Sequence, residues 1–160
     1  MADFSTAVWS VTIPGVVIIV AVALWLSIID WREHRLPNRI VGPLAGGVAL
    51  WVLLLGFVAS DLGRGVTAIG WGMGASAAFF VLNLVAGLGM GDVKFAFPVG
   101  ATLGWFGADS VEIGFYAMVV SAGVVGLAAL VQGKGRDHRV AFGPYMAFGL
   151  LCGIARGVIG

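Results

Sequence analysis

The chain has 160 residues, 60% of them hydrophobic and 11% charged, with a mean hydropathy of +1.04. Soluble domains carry roughly 25% charged residues, so a water-facing surface cannot be built here and lipid must be the solvent for most of the chain. A net charge of +1 leaves no footprint for nucleic acid, and the single cysteine, Cys152, excludes an internal disulfide and any Cys-x-x-Cys zinc site.

A membrane-spanning helix needs about 20 apolar residues. Six runs qualify or nearly so: 8–29, 40–59, 66–86, 93–108, 111–131 and 142–159. The first carries no charge and is too long for the core of a signal peptide, so a retained helix is expected. The fourth is short, and only Gly107 to Glu112 separates it from the fifth. The expected fold is an all-α polytopic membrane protein, residues 1–160 forming a single membrane-embedded domain with about six spans.

The connecting segments orient these spans. Arg32, Arg35, Arg39, Lys94, Lys134, Arg136 and Arg139 follow spans one, three and five, whereas Arg64 and Arg156 fall on the other side. The positive-inside rule places the first group in the cytoplasm and both termini outside, in a cell membrane. The basic loop from Gln132 to Arg139 is a topology signal first, with anionic lipid head groups as a further contact. Glycines four apart, at Gly42/Gly46, Gly70/Gly74, Gly100/Gly104 and Gly149/Gly153/Gly157, would let helices approach closely. Trp9, Trp31 and Trp105 lie near span ends, where an aromatic belt would sit. Asn83, inside span three, is expected to join helices.

Two acids stand out. Asp30 ends the first span, and Asp92 follows the glycine-rich break Gly87-Leu88-Gly89-Met90-Gly91. Both fall at the cytoplasmic edge on the charge count, which made no use of them. An acid at a helix end is commonly a solvated interfacial residue, and Asp92 would serve equally as the N-cap of span four. Brought together, the two differ from either alone: paired carboxylates do not both ionise easily, so one holds a proton and the other stays ready to take one. That division of labour suffices for hydrolysis of a peptide bond without metal or thiol. Serine and threonine spacings show no triad, no metal site or cofactor is expected, and His34 and His138 read as solvated loop residues. Pro37-Asn38 can open the second span, with Asn38 capping its free N–H groups.

Three segments together resemble the signatures of the type IV prepilin peptidases. They are Asp30 followed by Pro37-Asn38, then Gly89-Met90-Gly91-Asp92-Val93-Lys94, then Phe142-Gly143-Pro144-Tyr145 with Ala147. Members often have proline where this chain has Ala141. Long bacterial members also carry a cytoplasmic domain with paired Cys-x-x-Cys and add a methyl group. This sequence resembles the short, peptidase-only branch of Flp/Tad pili and archaeal flagella.

The resemblance implies a glycine-x-glycine-aspartate aspartic protease with Asp30 and Asp92 as catalytic pair. Gly89, Gly91 and Lys94 would form the active-site loop, and Pro37, Asn38, Gly143 and Pro144 would support it. The implied substrate is a prepilin-type membrane protein with a basic leader, cut at the cytoplasmic face, typically after a glycine. A presenilin-like intramembrane protease shares the glycine-aspartate motif. A small proton-coupled transporter would instead place its acids in mid-membrane.

Overall fold

The computed structural model describes residues 6–33, 36–131 and 141–159. They form six α-helices: α1 Thr6–Glu33, α2 Asn38–Val58, α3 Leu62–Ala86, α4 Met90–Phe106, α5 Ala108–Val131 and α6 Gly143–Ile159. A helix stands at each of the six expected runs. In a bilayer every backbone polar group must be satisfied internally, so long apolar runs have the helix as their way to cross. Four helices, α1, α2, α3 and α5, have the length and hydropathy of a full span; α6 is a shorter apolar helix.

The helix at the centre is α4. Of its 17 residues 13 are buried, and it packs against α2, α3, α5 and α6. It can be short because other helices, not lipid, surround it. The outer surface is apolar in the opposite sense: Ile18, Leu50, Val85 and Val124 all stand exposed, as lipid-facing residues should.

Small residues set the closest approaches, at half of the expected places. A Cβ at Gly100 or Gly104 of α4 would run into Trp71 and its neighbours on α3. Gly149, Gly153 and Gly157 of α6 bear on Gly114, Leu103, Ser110 and Phe106. Gly42/Gly46 and Gly70/Gly74 have open space instead, and the α3 glycine that meets α4 is Gly72, against Phe97 and Ala101. A four-residue spacing names a face, but which face meets a neighbour is decided by the partner helix.

The break between α4 and α5 is a single residue, Gly107, with φ 114. Nearby, Trp105 departs from the aromatic-belt reading. It is fully buried, with the Arg64 guanidinium 5.1 Å from its ring centre and Arg64 Nε donating to its carbonyl at 2.8 Å. Trp31 is 73% exposed at the end of α1, as a belt residue would be. Arg64 with Trp105, and Arg156 with Asp109 at 2.9 Å, mark one end of the bundle. Asp30, Asp92, Arg32, Arg39 and Lys94 occupy turns at the other. His34, Arg35, Lys134, Arg136, His138 and Arg139 lie outside the described residues.

Candidate active site

The α3–α4 connection is only Gly87-Leu88-Gly89. Gly87 adopts φ 70, a left-handed conformation that an L side chain resists, and ends α3 with its N–H on the Asn83 carbonyl at 3.0 Å. The Asn83 side-chain amide donates to the Leu88 carbonyl. Asn83 therefore fastens this turn to its own helix rather than joining two spans. Gly89 is the N-cap of α4, and Gly91 is already helical. A Cβ on Gly91 would lie 2.7 Å from that of Leu36, so glycine here lets the start of α4 come up against the segment before α2.

This placement corrects the N-cap reading of Asp92. The residue is third in the helix, one turn past the cap, and its Oδ2 turns back over Gly89 to act on that backbone N–H. A side chain reaching from the third helical position to the cap satisfies one of the free donors of a helix start. The other oxygen, Oδ1, is buried with no hydrogen-bond partner among the described residues. A buried polar atom left so costs about 1–3 kcal/mol, which a protein bears where function needs it.

Asp30 lies in the last turn of α1 and is 5% exposed. Its Oδ2 accepts the Gly143 backbone N–H at 2.8 Å. Gly143 opens α6, so the carboxylate of one helix caps the start of another. A Cβ at Gly143 would lie 3.0 Å from Asp30 Oδ2 and 3.3 Å from the Ser27 Cα, which explains glycine at this position. Pro144 follows where the first turn has no use for an N–H. Phe142 packs edge-on against Phe79 of α3 at 6.1 Å and against Tyr145 at 6.0 Å, fixing the approach of α6.

The first and second motifs also meet. Lys94 Nζ donates to Asn38 Oδ1 at 3.0 Å. Asn38 does not cap α2; Pro37 holds the cap position with no side-chain bond, and Asn38 is the first helical residue. Ser76 of α3 donates to the Val93 carbonyl at 3.0 Å, securing the same turn of α4. Sequence reasoning named Gly87 only as part of the glycine-rich break, and gave Leu36, Ser27 and Ser76 no role. Leu36, Ser27 and Ser76 carry no local signal, since each matters only through a partner on another helix.

All three segments thus converge at one end of the bundle, and Asp30 is near enough for its charge to act on Asp92. Residues 17–131 match the model of the type IV leader peptidase family. The chain belongs to that family. It is 30% identical over 152 residues to the leader peptidase HopD of Salmonella typhimurium, covering 86% of this chain and 89% of that one. It is 31% identical to a prepilin leader peptidase/N-methyltransferase of Burkholderia pseudomallei over 81% of this chain, and 33% identical to one of Aeromonas hydrophila over 76%. It spans 42% of the length of each of these two longer proteins. No solved structure matches the chain. The family is one of leader peptidases, which are hydrolases, and the apolar helices make this member a multi-pass membrane protein.

Proposed function

We propose that this leader peptidase is an aspartic endopeptidase, with Asp30 and Asp92 as its two catalytic groups, that removes the basic leader of a type IV-like prepilin. The observation that carries the reading is a buried carboxyl oxygen of Asp92 with no hydrogen-bond partner among the described residues, within reach of the charge of an Asp30 held in place by the first N–H of α6. Structural acids in a membrane protein are paired off. Here one of them keeps an oxygen for something else.

The chemistry needs both groups. One carboxylate takes a proton from water as the water oxygen attacks the peptide carbonyl. The other, protonated, donates to the carbonyl oxygen, and the tetrahedral intermediate collapses as the leaving amine is protonated. The pair titrates as a unit, so base and acid are properties of the dyad. Gly89 and Gly91 shape the turn that carries Asp92. Lys94 with Asn38, and Gly143 with Pro144, tie α2 and α6 to it.

Arg32, Arg39 and Lys94 stand at the same end as the acids, and the positive-inside rule assigns that end to the cytoplasm. The scissile bond would then lie at the cytoplasmic face, just outside the substrate's apolar helix. Both acids occupy end turns of their helices, which favours this over a proton path through mid-membrane. The test is purified protein in detergent with a leader-bearing prepilin, the products read by mass spectrometry. Cleavage at one bond between leader and apolar helix is expected, unaffected by chelator or thiol reagent. Loss with chelator and recovery with metal would overturn the two-carboxylate chemistry.

A further inference from the structure

Between α1 and α6 runs an open groove of about 550 Å³. Its floor is made of small, buried residues, Ser27 and Ala147, and its rims of Leu24, Ile28 and Phe148, all large and substantially exposed. Leu24 to Trp31 covers about two helical turns, roughly 10 Å along α1 at ~1.5 Å per residue. A floor of small residues between bulky rims is the surface against which a membrane helix packs closely.

The groove ends beside the residues that hold Asp30. Ser27 is one turn before Asp30, and its Cα lies against Gly143, the residue that donates to Asp30. Pro144, next in the chain, forms part of the groove wall. Arg32, exposed and two residues past Asp30, stands at the groove end where lipid gives way to water. An occupant must therefore be apolar for two turns and turn polar at the level of Asp30. By contrast, the cavity lined by Phe79, Val99, Leu103 and Met118 holds about 40 Å³, too little for a helix face.

Resting on the proposed function, we infer that the α1–α6 groove is the docking site for the substrate's apolar helix, which it seats so that the bond just outside that helix meets Asp30.

The test is cysteine cross-linking in liposomes, with Cys152→Ser as background and Asp92→Asn to hold substrate uncut. Single cysteines replace Leu24, Phe148 or, on the lipid-facing side of α5, Val124. Their partners are single cysteines along the prepilin's apolar helix. Cross-links are expected from positions 24 and 148 with helical periodicity, and none from 124. In the otherwise native enzyme, Leu24→Trp should raise KM roughly tenfold with kcat unchanged, the signature of lost uniform binding, while Val124→Trp leaves both unchanged. Equal cross-linking at 124, or none at 24 and 148 when the same cysteine variants with Asp92 restored cleave normally, overturns the docking site and leaves the peptidase reading intact. Failure of the parent enzyme to cut any prepilin overturns that reading and this inference with it.

Discussion

The two ends of the bundle are built to different standards. At one end the charges have partners: Asp61 caps α3 by accepting the Arg64 N–H at 2.9 Å, Arg64 lies on Trp105, and Arg156 pairs with Asp109. At the other, two carboxylates are buried near one another, and Asp92 Oδ1 has no partner among the described residues. The first end is organised to close a fold. The second bears a cost that stability alone would remove, and the proposed site rests on that difference.

The comparison breaks most sharply at the acids. Asp30→Asn and Asp92→Asn should each lower kcat by at least ~10²-fold, since neither group can make both proton transfers alone. Their effects on stability should diverge. Asp30→Asn weakens a charge-assisted bond to Gly143 and should lower the melting temperature in detergent. Asp92→Asn removes no hydrogen bond made by Oδ1 among the described residues and should leave it equal or higher. Substantial residual cleavage by either variant would end the dyad.

Next in size come the two close-packed glycines. Gly143→Val would force α6 away from Asp30 and Ser27, and Gly91→Val would meet Leu36. Overpacking of this kind costs about 1–3 kcal/mol, and here the displaced atoms are the site itself. Both variants should be inactive, with Gly143→Ala retaining more activity than Gly143→Val. Cleavage assays beside melting curves would separate a lost site from a lost fold.

A smaller effect is expected at Lys94. Lys94→Met removes an exposed bond to Asn38 and should change stability by no more than about 0.5 kcal/mol. Cleavage should fall several-fold, because the bond joins α2 to the turn that carries Asp92. Unchanged cleavage would show that the pair is only a surface contact. Smallest of all is Arg156→Ala at the opposite end. Its pair with Asp109 is solvent-exposed, so about 0–1 kcal/mol of stability and no activity should be lost. A loss of cleavage there would mean that the ends are coupled.

Much of this was legible in the residues. Length of apolar run is a one-dimensional property, and it located all six helices, including the break at Gly107. Composition and charge order separated the residues at Asp30's end from Arg64 and Arg156. What escaped were properties of partners. Asn38 is a good helix cap by type, yet a lysine 56 residues away claims its side chain. Asp92 was placed before its helix because Gly-x-Gly reads as turn, whereas Gly91 had to enter the helix to meet Leu36. Trp105 looks like a belt residue until Arg64 folds over it. The Gly143 contact with Asp30 has no local signal, since both partners are ordinary helix-end residues until the fold joins them.

That contact sets an order on biogenesis. Asp30 and Gly143 are 113 positions apart, so one bond joins the earliest of these helices to leave the ribosome with the last. A nascent chain holding only α1 to α4 already has both acids, but Asp30 has yet to receive its donor. In the proposed site, Asp30 is held by this donor only after α6 has packed against α1.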